Sequence, residues 1–350
     1  QRRLDRPRPE FAGVSRLHPL TGRADRYYPW AEQRWKVLFS YAVLAAALLV
    51  LALVTMVLFM LRHLFRSRVT FQCINALITL LMNALFTDVA KYLTDQENHR
   101  SHSEYSSHLM AKTVIFKLVN SNISLYYIAF FEHDSDLFGV PVRCENDDCL
   151  DDVGSQLAIF MLMFLVFQTV MGLGLPYFRM VRRGHKEGRQ FHTDVFANPR
   201  TAVPGVSSAE RQSKKEEHDS FANMDDILVL YGYATLFVVA CPWVPLLALV
   251  GCVAGCFLDQ KKLVHLYRRP FPVPAANNEP WDTAFDLLGM AAMLTNTGVV
   301  IFTSRAYGRW PRQDKFTLFL AAEFTMILSR VLVGIFFPAV PSGVKLLQMQ

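Results

Sequence analysis

Eight runs of apolar residues divide the chain, and most charged side chains are gathered into the loops between them. The runs are Trp35–Leu61, Phe71–Leu93, Leu109–Phe131, Val153–Met180, Ile227–Pro242, Val244–Leu266, Trp281–Ser304 and Phe316–Val340. As helices, most of them are long enough to cross a hydrocarbon core about 30 Å thick. The fifth and sixth form one continuous run that is too long for a single crossing. The two prolines of "CPWVP" divide it into a helical hairpin. The pattern predicts an all-α fold, a polytopic transmembrane helical bundle with about eight spans.

Within the second run the polar residues follow a helical period. Gln72, Asn75, Thr79, Asn83, Thr87 and Lys91 are spaced three or four residues apart, which puts all six on one helix face. A polar group facing lipid without a partner is destabilising by several kcal/mol, so this face turns toward protein or water. The third run repeats the pattern with Thr113, Lys117, Asn120 or Ser121, and Ser124. One or two such residues suit interhelical hydrogen bonds, whereas a seam across the whole thickness suits a hydrated groove better. An intramembrane cation such as Lys117 marks a functional site by default, although it lies near enough to the helix start to snorkel. The facing seam offers Asp88 alone as a carboxylate, close to its end. Two polar faces set side by side predict a furrow between the leaflets that serves ions or lipid headgroups.

Composition supports the membrane reading. The chain is 52% hydrophobic and only 19% charged, with a mean hydropathy of +0.21, whereas soluble domains carry about 25% charged residues. The net charge of +6 comes from Lys and Arg at the ends of apolar runs, which favours membrane orientation over nucleic-acid binding. The Arg-rich segment before the first run is expected in the cytoplasm, and an even number of spans returns both termini there. The basic loops "RHLFRSR" and "RAYGRWPRQDK" then fall outside, against the rule. The resulting division is a cytoplasmic basic segment (1–34), groove-forming helices (35–180), a partly disordered cytoplasmic loop (181–222), the remaining helices (223–340) and a cytoplasmic tail (341–350). The chain opens on Gln1 without a signal peptide, so a preceding N-terminal part is expected. Cys144 and Cys149 share an acidic outer loop where a disulfide between them is able to persist, and the sequence allows other partners for each.

Several motifs resemble one family, the anoctamins. "YGYATLFVVACPWVPLLALV" with "LDQKKLVHLYRRP" is similar to the family's hairpin and the basic stretch after it. "FKLVNSNISLYYIAFF" is similar to the end of its fifth helix, "PLTGRADRYYPW" to the approach to its third, and "CENDDCL" to its outer-loop cysteines. The resemblance covers nearly the whole chain. It implies that the eight spans are the third to tenth of a ten-helix fold. It further implies a homodimer with a furrow in each subunit, acting as a calcium-activated chloride channel, a phospholipid scramblase, or both.

The resemblance also places a calcium site, and this sequence departs from it. The positions that carry carboxylates or amides in the family fall on Asn223 and Asp226, on Gly255 and Asp259, near Leu173, and near Thr169. Only Asp226 and Asp259 keep a carboxylate, while calcium takes six to eight oxygen ligands. Asp226, Asp259 and Asn223 are therefore expected to form a degraded site that holds calcium weakly or not at all. A salt bridge from Asp259 to Lys261 or Lys262 is the simpler role. Gly251 and Gly255 of "GCVAG" suggest close helix packing. Gly172, Gly174 and Pro176 are candidate hinges of the fourth span.

Other candidates are set aside. His99, His102 and His108 fit no common zinc spacing and are expected in a solvated loop. Gly172-x-Gly174 follows no strand, so it is not a nucleotide loop. Glu323 and Arg330 share a face, as a pair or as contacts to a neighbouring subunit. No nucleophile constellation appears, so an enzyme is not expected. The expected partners are membrane lipids, chloride or other small ions and a second copy of the chain, in the plasma membrane. Phospholipid scrambling with accompanying ion conduction is the favoured activity, because the seam is amide-rich and uncharged in its middle. The alternatives are a dedicated chloride channel and a non-transporting tether or scaffold.

Overall fold

The computed structural model describes residues 8–17, 22, 24–62, 67–131, 136–137, 140–141, 149–174, 177–178, 182, 215, 220–269 and 279–337. Eight long helices dominate them. They are α1 (Trp30–Met60), α2 (Arg68–Gln96), α3 (His102–Tyr126), α4 (Cys149–Thr169), α5 (Ser220–Thr235), α6 (Val244–Lys261), α7 (Glu279–Gly298) and α8 (Arg312–Phe336). Helices α3, α4, α6 and α7 each pass into a five-residue π turn, at Tyr127–Phe131, Val170–Gly174, Lys262–Leu266 and Val299–Thr303. Two small antiparallel hairpins complete the picture, β1 (Val14–Leu17) with β2 (Ala24–Tyr27) and β3 (Asp136–Leu137) with β4 (Val140–Pro141).

The apolar runs foretell the helices, but their ends move for local reasons. Helix α3 begins seven residues before the predicted Leu109, at His102. Ser101 caps it, its hydroxyl accepting from the Glu104 backbone N–H at 3.1 Å, and Ser101-x-x-Glu104 is a capping-box sequence. The "CPWVP" break is present: α5 ends at Thr235, turns occupy residues 236–240, and α6 starts at Val244. Among the described residues seven helices, not eight, are long and apolar enough to cross a membrane. The shortfall is α5, whose 16 residues rise only about 24 Å.

Side-chain burial is inverted relative to a water-soluble bundle. Leu49, Leu53, Val57, Phe324, Ile335 and Phe336 are exposed, while Gln72, Asn75, Asn83, Gln156 and Asp225 are buried. Apolar surface on this scale is stable only against lipid. The interior is filled by aromatic and branched residues of α2 to α6, among them Phe71, Leu80, Leu125, Leu157, Phe160, Tyr233 and Phe237. A smaller cluster joins α1 to α2 and α3, where the Phe86 and Phe116 rings stack 3.8 Å apart. Helix α8 buries Glu323 alone. The protein is therefore a multi-pass helical membrane protein.

Candidate transport seam

The polar face of α2 turns into the bundle. Gln72, Asn75, Thr79 and Asn83 are between 3% and 7% exposed, and Thr87 and Lys91 at the far end are half-buried. The neighbouring helices supply bonds in a file. Gln72 Nε2 donates to Ser155 Oγ of α4 at 2.8 Å, and Gln156 Nε2 of α4 donates back to the Gln72 carbonyl at 3.4 Å. Asn120 Nδ2 of α3 donates to the Thr79 carbonyl at 2.9 Å and to Asn83 Oδ1 at 2.7 Å. Asn83 Nδ2 donates in turn to Ser121 Oγ at 3.2 Å. Thr87 Oγ1 bonds to its own helix, at the Asn83 carbonyl. The predicted residues are thus brought together, but in a closed contact rather than along an open furrow. The period fixes which face is polar; what it faces depends on helices far away in sequence.

Closure leaves polar groups behind. Among the described residues, Asn75 Nδ2, Thr113 Oγ1, Ser124 Oγ and Gln156 Oε1 are buried without a protein hydrogen bond. A fully satisfied helix contact lacks such groups, each of which is destabilising by about 1–3 kcal/mol.

At its predicted outer end α2 is clasped to α4. Arg68 lies 2.5 Å and Arg62 3.3 Å from the carboxylate of Asp152, which is 2% exposed. Arg68 also donates to Ser155 Oγ at 2.6 Å. Arg62 and Arg68, two of the basic residues of "RHLFRSR" that run against the orientation rule, are therefore structural partners of a buried acid.

Lys117 does not project freely into a groove. Its ammonium pairs with Asp225 of α5, and both side chains are largely buried. Asp225 is the residue that sequence reasoning missed, since 108 positions separate it from its partner and no local spacing joins them.

The histidine loop also differs from expectation. His99 is buried against Glu97, with Nε2 2.7 Å from Oε2, while His102 stays exposed. His108 stacks on His99 at 4.3 Å. Lys112 reaches Glu97 Oε1 at 2.6 Å and donates to Thr94 Oγ1 at 3.3 Å. Burial alone pushes the Glu97 carboxyl up, but hydrogen bonds from His99, Lys112 and Ser40 and the Lys112 charge bring it below the ordinary value. Ligand atoms of Glu97, His99 and His108 gather within 4.8 Å, yet the Lys112 ammonium already neutralises the one carboxylate. The turn depends on Asn98, whose φ of 53° is left-handed, a conformation that Asn tolerates. Its amide exchanges two hydrogen bonds with the Ala12 backbone, at 2.6 and 2.9 Å, and so docks the segment before β1.

The second group of acidic residues lies where α4, α5 and α6 converge. Asp259 Oδ1 accepts from Lys262 Nζ at 2.9 Å, and its Oδ2 accepts from Asn223 Nδ2 at 3.2 Å. Asp226 interacts electrostatically with Lys117, Asp225, Lys262 and Asp259. Thr169 turns its hydroxyl to its own Leu165 carbonyl at 2.8 Å. Gly172 and Gly174 lie in the π turn at Val170–Gly174, while Pro176 and Cys144 lie outside the described residues. Cys149 is disulfide-bonded. Arg330 of α8 bonds not to Glu323 but to Asp286 of α7, at 3.2 Å.

A family model described as "Anoctamin: Calcium-activated chloride channel" matches residues 1–350, the full length of the chain. The chain belongs to the anoctamin family. Human Anoctamin-3 is 25% identical over 343 residues, covering 88% of this chain and 34% of its own length. Human Anoctamin-10 is 23% identical over 365 residues, covering 99% of this chain and 52% of its own. Human Anoctamin-7 is 27% identical over 366 residues, with coverages of 92% and 38%. The chain thus spans between about a third and a half of the anoctamins it matches. In this anoctamin chain Asn223 and Asp259 of the expected calcium positions touch each other directly, and Gly255 meets no side chain within 4 Å.

Proposed function

We propose that this chain forms the pathway of a passive membrane transporter, an anoctamin that moves phospholipid headgroups, with accompanying chloride and other small ions, along the seam between α2, α3 and α4. The observation that carries the reading is the set of buried polar groups left without protein partners beside a hydrogen-bonded file. Water or a headgroup satisfies them when the helices part, which lowers the cost of opening the contact. A seam of amides recognises zwitterionic and anionic headgroups alike. A dedicated anion pore calls for more basic residues at its constriction, and Lys117 is already paired. The homodimeric state, the plasma membrane and cytoplasmic termini belong to the same proposal. Control by calcium is weak or absent in it, because the Lys262 ammonium already pairs with Asp259 and repels a second cation there.

One observation favours a second reading, a non-transporting scaffold: the seam is closed along the four residues from Gln72 to Asn83. Fluorescent-lipid scrambling in liposomes separates the two. The transporter reading expects bleaching of inner-leaflet lipid by an external reductant. It further expects Asn83→Leu with Asn120→Leu, which favours the dry contact, to slow it by about tenfold, a shift of about 1.4 kcal/mol. A protein that reconstitutes fully and bleaches no more lipid than empty vesicles refutes transport.

A further inference from the structure

The lysine at 262 stands where three elements meet. Its side chain is only 11% exposed, and Nζ bonds to Asp259 one turn earlier in α6. It also approaches α4. A Cβ built at Gly172 would lie 2.6 Å from Nζ and 3.0 Å from Cε. The ammonium therefore lies close to the backbone of the π turn that continues α4, and a methyl group at position 172 would make the flexible lysine end shift. From α5, Asn223 holds the other oxygen of Asp259, and Asp226 feels the charge of Lys262. One cationic head therefore bonds to α6, lies beside the end of α4 and acts electrostatically on α5.

We infer that Lys262 is a built-in cation, its ammonium standing in for the divalent ion that would otherwise draw these three helices together. Charge supports the assignment. Asp225, Asp226 and Asp259 already share the two ammonium groups of Lys117 and Lys262, which leaves too little negative charge for a doubly charged ion. Geometry supports it too, because the Lys262 ammonium sits 2.9 Å from Asp259 Oδ1, where it repels a metal ion approaching that carboxylate. The chain then holds its α4–α6 contact in the absence of calcium. This deepens the transport reading and rests on it for any consequence in gating, although the binding statement is independent of transport.

The test is calcium-induced thermal stabilisation of the full chain in detergent, measured in EGTA and in millimolar calcium. Wild type and Lys262→Arg are expected to melt at the same temperature in both. Lys262→Gln, which removes the charge and adds an oxygen, is expected to gain a calcium-dependent rise of at least about 2 °C. If Lys262→Gln does not fold, Gly172→Ala gives the same readout by displacing the ammonium with a methyl group. Equal calcium shifts in wild type and variant, or no shift in any of them, overturn the inference. Scrambling measured in parallel is expected to be independent of calcium in wild type. If no protein scrambles under either condition the transport reading fails, and the melting comparison still decides the role of Lys262.

Discussion

Lys112 Nζ stands 2.6 Å from Glu97 Oε1, and neither side chain has exposed surface. The pair joins α3 to the end of α2, and the Lys112 ammonium lies 5.4 Å from the Tyr41 ring of α1. Removing one partner strands a buried charge, so Glu97→Gln is expected to destabilise the protein by about 3–5 kcal/mol. The same group sets an acid limit. Its carboxyl titrates below the ordinary 4.5, so between the two values the unfolded chain binds more protons than the folded one. The contribution is complete above about pH 4.5 and fades as pH falls through the lower folded value. Melting temperatures from pH 7 to pH 4 are expected to drop more steeply in wild type than in Glu97→Gln; parallel curves would remove Glu97 from the acid response.

The Lys117–Asp225 pair invites a charge swap. Lys117→Glu sets two carboxylates against each other in a largely buried place and is expected to lower both yield and melting temperature. Adding Asp225→Lys restores opposite charges, and the double-mutant cycle is expected to give a coupling of about 1–3 kcal/mol. A double variant no better than the single ones would show that the contact carries little energy.

Asn120 makes two of the bonds that close the seam. Asn120→Ala is expected to destabilise by about 1–3 kcal/mol, since the Thr79 carbonyl and Asn83 Oδ1 lose a donor inside the bundle. Chemical denaturation in mild detergent reports the change. An unaltered midpoint would show that water replaces the amide without penalty.

Two glycines ought to respond in opposite directions. A Cβ at Gly154 would lie 2.5 Å from the Ala240 carbonyl oxygen, whereas at Gly255 nothing stands within 4 Å. Gly154→Ala is therefore expected to push α4 away from the turn before α6 and lower stability. Gly255→Ala is expected to be neutral or stabilising by up to about 1 kcal/mol through helix propensity. Matching thermal shifts for the two would contradict this placement of α4.

The helices were legible because an apolar run of sufficient length leaves the chain few alternatives in lipid. Pro242 and Pro245 located the break between α5 and α6 for the same local reason, loss of backbone donors. The start of α3 was also readable, in Ser101 and Glu104, but the polar residues between them obscured it. Partners across the bundle were not legible. The period of α2 identifies Asn75, Thr79 and Asn83 as one face and is silent on whether that face meets water or Asn120. Likewise the burial of His99 follows from a left-handed turn at Asn98, and the pairing of Lys117 follows from the approach of α5. Both are products of tertiary packing.

A positive charge on a four-carbon stem never diffuses away. The ammonium of Lys262 meets Asp259 at an effective concentration fixed by covalent connection, so neither chelators nor a second-messenger pulse removes it. If the proposed role of Lys262 holds, the α4–α6 contact keeps one setting in resting and stimulated cells alike. Any output of the proposed pathway then follows how many copies reach the membrane and which lipids surround them.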